Sequence, residues 1–364
     1  MRSRFDQPLS LARSLVFPLA ALALALPFAA CSHDDANGAT ADGGPGSGGA
    51  TDLSASGGGS ADGGNSEDGG KGQDAGNSED PKFDVMTWVA PYNQAQWKAA
   101  LETDTGGAHS PKNTLTRLAA QFWQVHDDGT VSLGASEEDT RWVADYAKRN
   151  GIKFLTCIHN YSSDWDWGMA VSAFANNRSK LVASITKAVD DWDADGADID
   201  FEGNEEGEAD KAEFTAFIRE LGAALHAKGK ELTVDSFADQ WNKPQPSWWS
   251  DWKGYVDGIQ SMQYDGGFGG AQEDWASYKG QQNNVLAAGY MSSMLAIGMP
   301  SWKSDWGSGG LGTSIMDHLN ELLSGDFNTQ PTSVAVWYAA FEANGWLTPE
   351  VWDALYEIRT GKMN

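Results

Sequence analysis

The sequence predicts an α/β protein of the (β/α)8 TIM-barrel class, and three observations point to it. Eight short apolar runs recur between residues 82 and 364. Most are followed by a segment whose apolar residues fall at helical spacing, the rhythm of strand–helix units. The first run lacks the Gly-rich phosphate turn of an open doubly wound sheet, and eight units in a stretch near the ~250 residues typical of a barrel favour closure.

Before the barrel come two segments that fold reasoning sets aside. Residues 1–30 carry Arg2, Arg4 and Arg13 ahead of the apolar run "LVFPLAALALALPF", which has the order of an export signal. The run ends in "PFAAC", which resembles a bacterial lipoprotein signal, with Cys31 as the lipidated residue and the mature protein held at a membrane only by that anchor. The alternative is ordinary cleavage after a small residue, with Cys31 incidental. Residues 31–81 are mostly Gly, Ser, Ala, Asp and Asn, and such a segment buries too little apolar surface to offset its chain entropy. It is expected to be a disordered linker spanning on the order of 40 Å, a tether for the domain at 82–364.

Charge and cysteine content narrow the function. The formal net charge of −26 opposes binding to nucleic acid, and opposes a basic patch for anionic lipid. Of the two cysteines, Cys31 belongs to the signal, so Cys157 has no partner for a disulfide within the chain. It sits inside an apolar strand and reads as a core residue. No His-rich or Cys-rich cluster suggests zinc, and neither a metal nor a cofactor is expected.

The strand candidates in order are 83–91, 116–125, 152–160, 196–202, 231–238, 258–265, 295–302 and 333–341. Helical patterns occupy 136–150, opened by the capping residues Ser136 and Glu138, then 177–192, and 210–230, which ends near Gly229. The helical pattern is weakest between the fifth and sixth strands and after the seventh.

The fourth strand carries the densest chemistry. "DWDADGADIDFEGN" (191–204) fits the spacing of a calcium loop through Asp191, Asp193, Asp195, Gly196 and Glu202. Against that reading, Asp198 stands where an apolar residue is usual, and "GNEEGE" follows where a helix should run. A solvated acidic face is the second reading, natural to an antiparallel strand. In a parallel barrel neither face meets bulk water, so Asp198, Asp200 and Glu202, spaced two apart, all point inward. Three such carboxylates are costly unless protonated, hydrogen-bonded or put to use.

"DGADIDFE" fits D-x-x-D-x-D-x-E and resembles the signature strand of glycoside hydrolase family 18, the chitinases and endo-β-N-acetylglucosaminidases. "MQYD" (Met262 to Asp265) is similar to a second family element at the end of the sixth strand. "AIGMPSW" is similar to the seventh strand, and Trp337 in "VAVWYAA" to the aromatic floor of the eighth. The resemblance covers residues 83–345. It departs at the third strand, which ends in "TCIHN" in place of Ser-x-Gly-Gly, and this leaves the branch and substrate open.

The resemblance implies roles. Glu202 would be the general acid and then the base, and Asp200 would bind the acetamido N–H and steady developing positive charge. Asp198 would share a proton with Asp200, and Tyr264 would hold the acetamido oxygen for its attack on the anomeric carbon. Asp265 and Met262 belong to the same substrate-binding element, and Trp337 would underlie the sugar ring. Asn160 and His159 are expected at the mouth. So are the Trp-bearing loops after the third, fifth and seventh strands (Trp165 and Trp167; Trp241, Trp248 and Trp249; Trp302 and Trp306), because apolar sugar faces stack on indoles. The implied partner is an N-acetylglucosamine-containing glycan, chitin first, then N-glycans or peptidoglycan, cut with retention by a monomer. A non-catalytic carbohydrate-binding member of the family is the rival.

Overall fold

Strands covered on both faces need near-continuous apolar sequence, and here that composition closes into a ring. The computed structural model describes residues 84–103, 110–203, 208–238, 242–262, 277–300, 319–320, 322, 325, 333–337, 339 and 349–360. The expected signal, the expected linker and Cys31 lie outside these residues. The strands are β1 (Asp84–Val89), β2 (Arg117–Val125), β3 (Val131–Leu133), β4 (Lys153–His159), β5 (Gly196–Asp200), β6 (Glu231–Ser236), β7 (Gly258–Ser261), β8 (Leu295–Pro300) and β9 (Ser333–Trp337). β1 pairs in parallel with both β2 and β9, which closes the order β1-β9-β8-β7-β6-β5-β4-β2 into an eight-stranded parallel barrel.

All eight expected strands are present, as β1, β2 and β4 to β9. Pairing along β5 ends at Asp200 rather than at residue 202; β7 runs from Gly258 to Ser261, and residues 263–265 of the expected strand lie outside the described residues. The ninth strand was not expected. β3 turns back antiparallel on β2 through a turn at Gly129. Its Val-Ser-Leu does alternate, with Val131 and Leu133 half-buried against the core and Ser132 exposed, but three residues are too few to mark a strand.

Each expected helix forms. Glu137–Asn150 begins at Ser136, whose Oγ accepts the Asp139 N–H at 3.1 Å, and ends at Gly151 with φ 68°, a left-handed turn that suits glycine. Arg178–Asp191 and Lys211–His226 follow β4 and β5. Between β6 and β7 the described residues form a four-residue turn of helix, Pro246–Trp249, and a 3-10 turn, Ser250–Trp252. No described helix is long and apolar enough to cross a membrane.

The described Trp residues of the loops after β4 and β6 are mostly packing. Trp167, Trp248 and Trp249 are buried. Trp167 and Trp248 lie with Phe174, Phe214 and Trp252 in one aromatic pack, whose ring centroids are 5.4 to 6.3 Å apart. The stacking surface that a sugar would use is taken by neighbouring rings. Trp165 stays partly open, edge-on to the exposed Tyr161 at 5.5 Å.

The amino-terminal end of the barrel is knit by charge. Arg117 of β2 donates to Glu231 of β6 at 2.8 Å and also to Asp84 of β1, while Lys153 of β4 reaches Glu231 at 2.5 Å. Burial opposes the Arg117 charge, but Glu231 and Asp84 more than reverse that and raise its pKa. The same partners overcome burial at Glu231 and lower its pKa. Beside this knot β5 and β6 run close: a Cβ on Gly196 would lie 2.2 Å from the Glu231 carbonyl oxygen, so only glycine fits.

Candidate active site

The acidic run divides at the start of β5. Asp191 pairs with Lys187 one helical turn earlier, Asp193 with Lys148 at 2.9 Å, and Asp195 accepts the Phe154 N–H at 2.8 Å. These three acids turn to separate partners. From Asp198 onward the alternation of the strand carries the carboxyl groups into the barrel, and they rise from depth to mouth. Asp198 is 0% exposed and Asp200 2%, while Glu202, two residues past the last paired position, is partly open.

Asp198 is surrounded by donors. Trp88 of β1 donates its indole N–H to Oδ2 at 2.9 Å, and Thr233 of β6 donates its hydroxyl to Oδ1 at 2.5 Å. The Cys157 thiol on β4 hydrogen-bonds it as well. Burial raises the Asp198 pKa, and these bonds restrain the rise. Asp200 Oδ2 accepts from the Gln121 amide at 2.5 Å. Its Oδ1 is buried without a hydrogen-bond partner, and Glu202 hydrogen-bonds the same carboxyl group. Burial lifts Asp200 to about 7; the Gln121 bond opposes the shift and the Asp198 charge adds to it. A carboxyl group poised there changes charge within the working range of an acid–base catalyst.

Glu202 is held by its backbone. Asn160, at the end of β4 and fully buried, donates its amide N–H to the Glu202 carbonyl at 2.9 Å and accepts the Glu202 N–H at 2.8 Å. This side chain replaces the rung that strand pairing no longer supplies. On the other side Gly203 exchanges two backbone bonds with Lys243, at 3.0 and 2.8 Å. A Cβ on Gly203 would strike the Trp167 ring at 2.8 Å. The acid is thus pinned from both directions while its carboxyl group stays accessible.

Other expected residues gather at the same end. Trp337, at the end of β9 and partly open, lies 5.8 Å from Trp88, tilted 57°. Met262, directly after β7, is nearly buried and donates its N–H to the Ser236 carbonyl at 3.0 Å. His159 pairs in register with Asp200, and burial lowers its pKa to about 4, so it is neutral at pH 7. Tyr264, Asp265, Trp241, Trp302 and Trp306 lie outside the described residues.

Two site residues escaped the sequence reading. Gln121, in the middle of the apolar "LAAQFW", holds Asp200. Asp235 of β6 is 2% exposed and hydrogen-bonds Asp198. The signal for both was present: a polar residue inside a strand expected to be buried on both faces. Cys157 Sγ and carboxylate oxygens of Asp198 and Asp235 lie within 4.8 Å of one another, the spacing of a metal site. Both Asp198 oxygens, however, already receive N–H or O–H hydrogens, which would face a cation, and burial holds the Cys157 thiol in its protonated form. The donor set fits shared protons better than a metal.

A barrel that lifts a row of carboxyl groups from buried to open at the carboxyl ends of its strands defines a hydrolase site of the glycosidase class. The sequence profile named "Glycosyl hydrolases family 18" matches residues 89–343, and the chain belongs to that family as one of its glycoside hydrolases. The fold is similar to that of a chitinase from Chromobacterium violaceum ATCC 12472, with TM-score 0.57 and 18% identity over 76% of this chain and 98% of that one. It is also similar to a chitinase from Bacteroides thetaiotaomicron, with TM-score 0.54 and 20% identity over 76% and 96% of the two chains. The Bacillus cereus spore cortex-lytic enzyme SleL gives TM-score 0.54 and 14% identity over 76% and 74%. Among curated proteins no match is found.

Proposed function

We propose that this glycoside hydrolase cleaves β-linkages that follow N-acetylglucosamine, with retention, using the 2-acetamido oxygen of the substrate as the nucleophile. The observation that carries the reading is the graded row on β5, with Asp198 and Asp200 buried and Glu202 open at the mouth. A common retaining pair flanks the anomeric carbon from two sides. Here Asp198, Asp200 and Glu202 follow one another along one strand and approach from one side. That arrangement suits a substrate that attacks itself.

In this reaction Glu202 protonates the glycosidic oxygen as the bond to the anomeric carbon breaks. The acetamido oxygen closes onto that carbon and gives an oxazolinium ion. Asp200, whose Oδ1 lacks a well-placed partner, accepts the acetamido N–H and balances the charge that develops there. Glu202 then takes a proton from water, which reopens the ring at the anomeric carbon. Tyr264 would hold the acetamido oxygen and Asp265 orient its neighbours, while Trp337 underlies the sugar.

Chito-oligosaccharides are the leading substrates, since two of the similar folds are named chitinases. Peptidoglycan is the second reading, favoured by the equally similar SleL, named as spore cortex-lytic. Lipidation at Cys31 would hold the enzyme at a membrane surface, and loss of fatty-acid labelling in Cys31→Ser tests that placement. Product masses from chito-oligosaccharides, N-glycans and peptidoglycan decide among the substrates. The cleaved one should become inert once its N-acetyl groups are removed, and turnover of the deacetylated polymer at a comparable rate would refute the internal nucleophile.

A further inference from the structure

Three buried acids crowd one end of the barrel, yet the family signature accounts for only two of them. Asp235, two residues past the Thr233 that pairs with Asp198, brings a carboxylate oxygen within 4.8 Å of Asp198 and hydrogen-bonds it from the neighbouring strand. The hydrogen bonds around this pair are unequal. Asp198 accepts from the Trp88 indole at 2.9 Å and the Thr233 hydroxyl at 2.5 Å, with the Cys157 thiol as a third donor. Asp235 Oδ1 is buried with no partner. Two carboxylates in contact inside a protein cannot both stay ionised, and the negative charge settles where the donors are. Here that is Asp198, so the proton belongs to its neighbour.

We propose that Asp235 is a positioning residue that stays in the acid form and donates its O–H to Asp198, fixing Asp198 as the buried anion beneath Asp200. The inference rests on the reading of Asp198, Asp200 and Glu202 as the reacting row. It changes the account of that row in one respect: Asp198 has a permanent proton donor on the neighbouring strand, at the level of Asp200, and is free to act on Asp200 through its charge. Burial first, then the charges of Asp198, Asp200 and Glu202, push the Asp235 carboxyl well above the usual range. The titratable groups facing it among the described residues are Asp198, Asp200 and Glu202, with Cys157 on β4. Its register partner on β7 is the uncharged Gln260.

The test uses the full chain with Asp235→Asn and Asp235→Ala. In the first, the amide can donate in place of the acid and carries no charge. Infrared difference spectroscopy of the free protein, above the value of about 7 held by Asp200, should show a protonated-carboxyl band in the wild type that Asp235→Asn removes. On a chito-oligosaccharide, Asp235→Ala should lower kcat about tenfold to a hundredfold with little change in KM, the scale of a hydrogen bond to a charged group. Asp235→Asn should recover most of that loss and keep the wild-type pH profile, because it replaces one neutral donor by another.

A band that survives in Asp235→Asn would place the proton elsewhere and overturn the proposal. So would a profile displaced to lower pH, the sign of a negative charge removed, or a divalent ion that wild type retains through dialysis and the Asn variant does not. If Asp235→Ala does not fold, the infrared band and pH profile of the Asn variant decide alone. If wild type cuts none of the glycans, the reading of the function fails while the infrared result still stands or falls by itself.

Discussion

The two ends of the barrel solve the same problem in opposite ways. Both bury carboxylates among β-strands. At the amino-terminal end Glu231 and Asp84 face Arg117 and Lys153, so charge is cancelled by charge. At the carboxyl-terminal end Asp198, Asp200 and Asp235 take part in no ion pair among the described residues, and neutral donors with shared protons do the work. Cancelled charge holds strands together over a wide pH range. Uncancelled charge leaves protons movable, which a catalyst of proton transfer needs. On the proposed reading the difference gives stability to one end and chemistry to the other, as the architecture of such barrels leads one to expect.

Substitution should break this comparison most sharply at Glu202. Glu202→Gln should lower hydrolysis by about 10²–10⁴, the usual contribution of a general acid–base, while calorimetry still detects binding. Comparable turnover in that variant would remove Glu202 from its role. At the opposite end, Glu231→Ala leaves Arg117 with Asp84 alone. Breaking a buried pair in this way should destabilise the fold by about 3 kcal/mol in urea unfolding. The protein that remains folded should turn over normally, and a selective loss of kcat would show that the ends are not independent.

The smallest effect is the most diagnostic, because the two ends respond to pH with opposite sign. Asp200 rises from 3.8 to about 7 on folding, so the folded protein holds a proton that the unfolded chain has released. Its contribution to stability is therefore full below 3.8 and is lost as pH rises to about 7. Glu231 is lowered from 4.5, so its contribution is present above that value and is lost as pH falls through its lower folded value. Thermal melts across pH should flatten on the neutral side in Asp200→Asn and on the acid side in Glu231→Gln. Parallel curves for wild type and Asp200→Asn between pH 4 and 7 would mean that Asp200 is not the raised group.

The eight barrel strands were legible because strands buried on both faces must be apolar throughout, and "TRLAAQFWQV" or "SVAVWYAAF" admits few other readings. The acidic row was legible through its period of two. Asp235 and Gln121 were not read, although the argument that selected Asp198 applies to them: each is a polar residue in a strand with no wet face. What no pattern encodes is the partner. That Asn160 would turn its amide to the Glu202 peptide, or that Trp167 would face Gly203 rather than a sugar, depends on contacts between segments distant in the chain.

The anchoring of Glu202 has a consequence for how such an enzyme diversifies. Its backbone is fixed by Asn160 before it and by the Gly203–Lys243 bridge just after it. Asp210 braces the same anchor, accepting the Trp167 indole N–H at 3.1 Å and lying 3.8 Å from the Lys243 ammonium, so a change of loop that keeps Asp210 in place should leave Glu202 where it is. On the proposed reading, the backbone of the acid and the loop that would meet the glycan are held by different contacts, so the loop can change while the acid keeps its place.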